Sequence, residues 1–224
     1  MREETIRFVQ KHKLIAIVRG VAGEEKLLAL ASALLAGGIR LLEVTFDQNK
    51  PESFAATEQG IAALCGAFGD ALCVGAGTVM SPAQVRLAAR AGARYIISPH
   101  CSQAVIRETR RLGLVSMPGA MTPTECASAH AWGADFIKLF PAGTLGEAYL
   151  RAIRAPLRHL RFLAVGGISA ADIPAFLAAG AQGFGVGGNL VNQAWLDAGE
   201  SEKITRLAAQ YVAALSQTDT AKPA

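Results

Sequence analysis

Apolar runs alternate with amphipathic segments along almost the whole chain. Short strand-like runs begin near eight positions: Leu14, Leu41, Leu72, Tyr95, Val115, Phe136, Phe162 and Gly183. Each run is followed by a segment in which apolar residues recur at helical spacing, and these segments begin at Glu24, Pro51, Pro82, Ser102, Thr124, Gly146, Ala170 and Ser201. The pattern predicts eight strands that alternate with eight helices.

Local start signals agree with this register. Ser81-Pro82-Ala83-Gln84 and Thr122-Pro123-Thr124-Glu125 have the form of capping boxes with proline at the first helical position. The segment from Ser169 to Asp172 is a weaker version of the same signal. Several helical segments also end at a glycine just before the next strand, as expected for a left-handed turn after a helix.

This alternation is typical of a closed (β/α)8, or TIM, barrel, so we predict a single α/β domain over residues 1–224. Residues 1–13 predict a short amphipathic helix before the barrel, and the polar residues 217–224 predict a flexible tail. A doubly wound open sheet is the structural alternative, but no G-x-G-x-x-G sequence opens a helix after the first strand. In a barrel, functional residues lie at the C-terminal ends of the strands.

Composition narrows the function classes. Hydrophobic residues make up 51% of the chain and aromatic residues only 6%, which predicts a large aliphatic core. The net charge is +4, but the arginines are dispersed at helical spacing, which favours a solvated outer face over a nucleic-acid surface. No apolar segment is long enough for a membrane span, and the charged start lacks the form of a signal peptide. The four cysteines have neither metal-ligand nor disulfide spacing, which predicts reduced thiols, no metal site and a cytoplasmic location.

One lysine stands inside an apolar strand. In the segment Phe136 to Phe140, Lys138 shares a face with the two phenylalanines, and both faces of the segment are expected to be buried. Residues 51–202 contain ten arginines and this single lysine. Only a desolvated lysine loses its proton near neutral pH and attacks a carbonyl as a free amine. A lysine that reaches solvent at the strand end, or pairs with a carboxylate, is the structural alternative.

The second strand contains a carboxylate, Glu43. Leu42 and Val44 suit the face that meets the helices, which assigns Glu43 to the barrel interior. A buried carboxylate requires a cation or hydrogen bonds, and Lys138 is the candidate partner. A proton-transfer pair and a purely structural ion pair are both open at this point.

Glycines follow two of the predicted strands. Gly166-Gly167 ends the seventh strand and Gly187-Gly188 the eighth, where barrels commonly bind phosphate through backbone N–H groups. Thr78 offers a hydroxyl at the end of the third strand. His100, after the fourth, is a candidate base or anion ligand, although a lone loop histidine is more often neither. The glycine pairs predict a phosphorylated ligand.

These motifs resemble the class I aldolases that act on 2-keto-3-deoxy-6-phosphogluconate and 4-hydroxy-2-oxoglutarate, the KDPG/KHG aldolase family. The resemblance runs in the family's order from Leu14 to about Val191, through Leu41-Leu-Glu-Val-Thr45, Gly75-Ala-Gly-Thr-Val79, Ile97-Ser-Pro99, Pro118-Gly119, Thr122-Pro-Thr-Glu125, Lys138-Leu-Phe-Pro-Ala142, Gly166-Gly-Ile168 and Gly187-Gly188. It implies a carbon–carbon lyase that needs no cofactor or metal, a keto-acid phosphate as substrate, and a homotrimer.

The resemblance also implies roles for single residues. Lys138 would form the Schiff base, and Glu43 would shuttle protons. Thr78 would contact the substrate near its carboxylate, and Phe140 would pack over the pyruvyl group. The other substrate-binding positions would be Arg19, Pro99, Gly166, Gly167, Gly187, Gly188 and Asn189.

Departures from the family pattern bear on substrate choice. Phe46-Asp47 stands where the family commonly has an arginine. Arg19, in a segment that resembles the first strand of the galactonate-type relatives, is the candidate replacement. Val165, His100 and Asn189 stand where the family commonly has threonine, glycine and serine.

The sequence therefore predicts cleavage of 2-keto-3-deoxy-6-phosphogluconate to pyruvate and glyceraldehyde 3-phosphate, of 4-hydroxy-2-oxoglutarate to pyruvate and glyoxylate, or of both. An aldolase for 2-keto-3-deoxy-6-phosphogalactonate is an alternative. A barrel isomerase or epimerase with Glu43 as base, and a non-catalytic sugar-phosphate binding protein, are the rivals from other classes.

Overall fold

The computed structural model describes residues 1–21 and 23–216, and the tail predicted to be flexible, residues 217–224, lies outside them. The described chain forms one sheet of nine parallel strand segments in the order β5-β4-β3-β2-β1-β9-β8-β7-β6. The segments are β1 (Leu14–Val18), β2 (Leu41–Thr45), β3 (Cys73–Gly77), β4 (Tyr95–Ile97), β5 (Val115–Met117), β6 (Gly119–Ala120), β7 (Ile137–Leu139), β8 (Phe162–Val165) and β9 (Gly183–Val186).

β5 and β6 together form the fifth strand of a barrel. On one side, the Met117 carbonyl accepts a hydrogen bond from the Ser98 N–H at 3.3 Å. On the other side, the Pro118 carbonyl accepts from the Lys138 N–H at 2.9 Å. Pro118 has no N–H of its own, so the ladder is interrupted at that residue. The sheet is therefore continuous from β4 through β5 and β6 to β7, which closes it into a barrel. The predicted (β/α)8 barrel is confirmed.

Helices precede the barrel and surround it. They are α1 (Arg2–His12), α2 (Glu24–Ala36), α3 (Phe54–Phe68), α4 (Pro82–Arg90), α5 (Gln103–Arg111), α6 (Pro123–Ala131), α7 (Ala142–Arg154), α8 (Ile173–Ala178), α9 (Gln193–Asp197) and α10 (Ser201–Ser216). Both predicted capping boxes are formed, with the Ser81 and Thr122 hydroxyls accepting hydrogen bonds at 3.3 Å. Among the helices of the described residues, none is long and apolar enough to cross a membrane.

Three predicted helix starts differ from the structure. Pro51–Ser53 form a 3₁₀ turn, and α3 begins at Phe54. At the weaker box, the Ser169 N–H and hydroxyl donate to the Asp172 carboxylate at 2.8 and 2.6 Å. This bond pair closes a turn before the helix, so α8 begins three residues later than predicted, at Ile173. The helix predicted from Gly146 is the second half of α7, because Gly146 has a non-helical φ of 81°.

Strand side chains alternate between the barrel interior and a layer beneath the helices. The interior cluster includes Ile15, Ile17, Leu41, Tyr95, Ile97, Val115, Met117, Phe136, Leu163 and Val165. Ile137 and Leu139 belong to the outer layer, as do Leu42 and Val44. The alternation therefore directs Lys138 and Glu43 inward, as the sequence pattern predicts.

α1 packs against the interior cluster through Ile6 and Val9. The helix is also held by Asp135, whose side chain is 3% exposed. The Asp135 carboxylate accepts hydrogen bonds from the Ser116 N–H at 2.9 Å and from the guanidinium groups of Arg2 and Arg110. Through this buried carboxylate, which accepts hydrogen bonds from three residues, Arg2 fixes α1 to the strands.

We expect Arg2→Ala to lower the free energy of unfolding by about 1.5–3 kcal/mol, which is the range for hydrogen bonds to charged groups. The substitution removes the guanidinium of Arg2 and leaves the buried Asp135 carboxylate with fewer donors. Arg7→Ala is the matched control, since Arg7 is exposed on the same helix and a surface change of this kind is worth within about 0.5 kcal/mol. Urea unfolding measures both values. Equal effects of the two changes would contradict this role for Asp135.

Candidate active site

Lys138 lies in the middle of β7 with its side chain directed into the barrel. The residue is 6% exposed, and the ring of Phe136 is fully buried two positions earlier. The Lys138 backbone is fixed on both sides, because β7 pairs with β6 and with β8. The lysine is therefore desolvated and held on a rigid strand, and the alternative of a solvated strand-end lysine does not fit.

Phe140 differs from the prediction that both faces of this segment are buried. It is 38% exposed, because β7 ends at Leu139 and Phe140 already belongs to the following turn. The Lys138 Nζ lies 5.0 Å from the centroid of the Phe140 ring. The ring also covers Gly166, where an added Cβ would lie 2.9 Å from it. Phe140 is thus a partly exposed wall beside the amine.

Glu43 is the second ionisable group inside the barrel, and it is 1% exposed. Its carboxylate lies against Gly77 of β3, where an added Cβ would overlap the carboxylate oxygen. Glycine at position 77 is therefore required for Glu43 to occupy this place. The Glu43 Oε2 atom is buried and has no hydrogen-bond partner within the described residues. Such an oxygen is able to accept a proton or hydrogen bond from a bound molecule, which a purely structural ion pair would not leave available.

The two groups shift each other's protonation. Burial lowers the pKa of the Lys138 ammonium; the Glu43 carboxylate opposes that shift and the Arg19 guanidinium adds to it. Burial raises the pKa of the Glu43 carboxyl, and the two cations oppose that shift. Both shifts favour the uncharged forms, so desolvation brings the pKa values of the amine and the carboxyl closer together.

A cavity of about 410 Å³ opens at the C-terminal ends of β1, β7, β8 and β9. Eight of the predicted site residues line it: Arg19, Lys138, Phe140, Gly166, Gly167, Gly187, Gly188 and Asn189. The structure therefore brings the lysine, an exposed arginine and both glycine pairs to one opening.

The two glycine loops are joined to each other. Gly166 and Gly167 have positive φ angles of 94° and 75°. The Asn189 side-chain amide donates to the Ile168 carbonyl at 3.2 Å, which links the loop after β9 to the loop after β8. No described residue accepts a hydrogen bond from the backbone N–H groups of Gly188 and Asn189. These two N–H groups are available to an anion at the cavity mouth.

Thr78, Pro99 and Glu43 are predicted site residues that do not line this cavity. Glu43 lies deeper, at the wall formed by β2 and β3. Thr78 follows β3 with an unusual positive φ of 53°, and Pro99 packs under Gly119, where an added Cβ would lie 2.5 Å from its carbonyl. Burial lowers the pKa of His100, next to Pro99, and its Nδ1 has no partner in the described chain.

Several residues near the site have a role that the sequence pattern does not predict. Ile17, Val165 and Val186 form apolar walls of the cavity. Their strand positions were predictable, but no local signal says which apolar residues border a cavity. Gln48 and Gln84 hold the turn at Thr78 through side-chain hydrogen bonds. Gln84 was recognised only as part of a capping box, and Gln48 carried no signal.

The geometry combines three chemical functions at one end of the barrel. A buried amine is available as a nucleophile, a buried carboxyl stands ready to move protons, and free backbone N–H groups lie at the mouth of the cavity. This combination suits a carbonyl compound with an anionic group at its far end. Within residues 1–21 and 23–216, no group of three or more His, Cys, Asp or Glu side chains is arranged to hold a metal ion.

A family model described as KDPG and KHG aldolase matches residues 5–207. The chain belongs to the KDPG and KHG aldolase family. It is therefore a carbon–carbon lyase, and the resemblance seen in the sequence is confirmed.

Two curated aldolases of this family illustrate the relationship. The 2-dehydro-3-deoxy-6-phosphogalactonate aldolase of Escherichia coli (strain K12) is 35% identical over 91% of this chain and 95% of its own length. The KHG/KDPG aldolase of the same organism is 34% identical over 84% of this chain and 85% of its own length.

A solved family member has the same fold. It is the KDPG aldolase from Legionella pneumophila, described with pyruvate captured at low pH as a covalent carbinolamine intermediate. It superposes with a TM-score of 0.80 at 28% identity, and the match covers 90% of this chain and 95% of that one.

In this aldolase, the pKa of Lys138 should respond in opposite directions to two substitutions. Glu43→Gln removes the carboxylate that favours the ammonium, so the pKa of Lys138 falls further and the amine reacts at lower pH. Arg19→Gln removes a repelling cation, so the pKa rises. The second shift should be the smaller, because Arg19 is exposed and solvent screens its charge.

The pH dependence of acylation at Lys138, followed by peptide mass spectrometry, reports these pKa values. Arg7→Gln is the control, because Arg7 is an exposed residue on α1, and it should leave the profile unchanged. Shifts of the same sign for Glu43→Gln and Arg19→Gln would contradict the electrostatic account.

Proposed function

We propose that the protein is a class I aldolase that cleaves 2-keto-3-deoxy acid phosphates through a Schiff base on Lys138. The observation that carries this proposal is the buried amine of Lys138, whose pKa is lowered by desolvation, in a barrel that also buries Glu43. Burial of this kind gives a lysine the free electron pair that imine formation requires. The carbinolamine of the Legionella relative is a precedent within the family.

The reaction begins when the neutral Lys138 amine adds to the C2 ketone of the substrate. The Glu43 carboxyl gives a proton to the carbinolamine hydroxyl, which leaves as water, so that an iminium ion and the Glu43 carboxylate remain. Glu43 takes the proton from the C4 hydroxyl, the C3–C4 bond breaks, and its electron pair forms the enamine C2=C3 bond while C4 leaves as an aldehyde. The proton held by Glu43 then goes to C3. Water hydrolyses the resulting iminium to pyruvate and the free amine, and the proton released in this step returns to the Glu43 carboxylate.

The other predicted residues are assigned to binding in this proposal. The backbone N–H groups of the loops at Gly167 and Gly188 hold the phosphate. Arg19, the cation at the cavity mouth, attracts the anionic substrate. Asp47 is unsuited to that task, because a carboxylate repels an anion; its side chain instead accepts a hydrogen bond from the Asn49 N–H at 3.0 Å. Thr78 and Pro99 contact the pyruvyl end, and Phe140 covers it.

The 6-phosphogluconate compound and 4-hydroxy-2-oxoglutarate are the substrates that the sequence predicts first. The 6-phosphogalactonate compound is a second candidate, and two observations favour it. Arg19, directly after β1, lines the cavity, whereas residue 47 does not. The galactonate aldolase of Escherichia coli also matches a longer part of this chain than the KHG/KDPG aldolase does. The homotrimer and the cytoplasmic location stay predictions.

Pyruvate and borohydride should leave a covalent adduct on Lys138 of the parent protein, because borohydride reduces the imine to a stable amine. Lys138→Arg keeps a positive charge but cannot form the imine, so adduct and cleavage should both be lost, the latter by at least about 10³-fold, as for removal of a covalent nucleophile. Peptide mass spectrometry locates the adduct, and a coupled assay measures cleavage.

Lys203→Ala is the control, since Lys203 is an exposed lysine on α10 paired with Glu200, and it should trap pyruvate like the parent. An isomerase or epimerase that uses Lys138 only for its charge predicts no adduct in the parent and activity in Lys138→Arg. Either result would overturn the Schiff-base assignment.

The phosphate site predicts a substrate-specific effect for Gly167→Ala. The positive φ of Gly167 disfavours alanine, so the substitution should distort the loop. We expect kcat/KM to fall about 10-fold for the two 6-phosphorylated acids, as for loss of one hydrogen bond to a charged group, and to stay within twofold for 4-hydroxy-2-oxoglutarate. Steady-state kinetics on the three substrates measure these values. The same measurements on the parent protein show which substrate it prefers. Equal losses on all three would place the phosphate elsewhere.

A further inference from the structure

The turn after β3 is the most unusual piece of backbone near the site. Thr78 has a φ of 53°, in the left-handed region that β-branched residues rarely adopt. Such a conformation is strained and persists only where neighbouring groups hold it. The neighbours of Thr78 therefore determine where its hydroxyl points.

The sheet fixes the residues on either side of Thr78. The Gly77 carbonyl accepts a hydrogen bond from the Phe46 N–H at 2.9 Å, and the Val79 N–H donates to the Ile97 carbonyl at 3.2 Å. The Thr78 carbonyl itself lies outside the ladder. It accepts a hydrogen bond of 2.6 Å from the side-chain amide of Gln48.

Gln48 is held in turn by Gln84. The Gln84 amide donates to the Gln48 side-chain oxygen at 3.1 Å. The Gln84 oxygen accepts from the Met80 and Ser81 N–H groups at 2.7 and 3.1 Å, and Gln84 is 2% exposed. The two side-chain amides therefore form a chain of hydrogen bonds in which Gln84 donates to Gln48 and Gln48 donates to the Thr78 carbonyl. We call Gln48 and Gln84 the glutamine clamp.

The glutamine clamp also affects the surroundings of Glu43. Gly77, directly before Thr78, is the residue against which the Glu43 carboxylate lies. A shift of this turn would move the wall behind Glu43 and the threonine hydroxyl together. Lys138 stands on β7, which pairs with β6 and β8 and not with the strand before the clamp.

We propose that Gln48 is a positioning residue for the aldol reaction. Held by Gln84, its amide fixes the left-handed turn at Thr78 and so aligns the Thr78 hydroxyl and the Glu43 carboxylate with the substrate. The proposal rests on the aldolase function proposed above. It adds a role for the residue directly after Asp47, at the point where the chain departs from the family pattern.

Two near-isosteric variants break the clamp at different bonds. In Gln48→Glu, a carboxylate replaces the donor to the Thr78 carbonyl. In Gln84→Glu, the oxygen that accepts from Met80 and Ser81 is kept, so the capping box persists, but the donor to Gln48 is lost. Gln10→Glu is the matched control, because Gln10 is exposed on α1.

We expect kcat for cleavage to fall about 10-fold or more in Gln48→Glu, as small misplacements of reacting groups do, and by less in Gln84→Glu. Trapping of pyruvate on Lys138 and the thermal midpoint should stay close to those of the parent. The loss in Gln48→Glu should shrink as the pH falls from 8 towards 5, because the protonated carboxyl is again a donor to Thr78 (a free glutamate has a pKa of about 4.3).

Parental kcat and KM in both variants across this pH range would overturn the positioning role and leave the aldolase standing. A loss of trapping, cleavage and thermal midpoint in equal measure would also overturn it, since that pattern indicates a purely structural role. A parent protein that neither traps pyruvate nor cleaves substrate would instead refute the proposed function.

Discussion

The structure depends on keeping an amine and a carboxyl desolvated at one end of an apolar barrel. Desolvation disfavours the charged form of each group, while their mutual attraction favours it. The balance leaves the pKa of Lys138 lowered and that of Glu43 raised. Rigid strands are needed to hold both groups in this state, because a mobile lysine would reach water, where burial would no longer lower its pKa.

The barrel distributes the site over two walls. β7, β8, β9 and β1 surround the cavity and supply the lysine, the glycine loops and Arg19. β2 and β3 supply Glu43 and the turn at Thr78. Glycines make room on this second wall, since side chains at Gly75 or Gly77 would overlap Tyr95 or Glu43. The proposed reaction uses both walls, because the imine forms on Lys138 of the first wall and Glu43 of the second wall transfers protons.

Period-two alternation was enough to predict the inward direction of Lys138 and Glu43, and the order of strands and helices was enough to predict the barrel. The exposure of Phe140 was missed because the strand ends one residue earlier than the apolar run. The left-handed Thr78 was not predictable from its residue type, which disfavours that conformation. The links from Gln48 to Thr78 and from Asn189 to Ile168 join residues 30 and 21 positions apart, and no local pattern reports them.

In the proposed reaction, the Lys138 amine and the Glu43 carboxyl face the same bound molecule from opposite walls of the barrel. A crystal structure of the protein frozen after soaking with pyruvate tests it most directly. We expect continuous density from the Lys138 Nζ to C2 of pyruvate, with Glu43 within hydrogen-bond reach of the adduct, directly or through one water molecule. Pyruvate bound without a covalent link, or an adduct that turns away from Glu43, would contradict it.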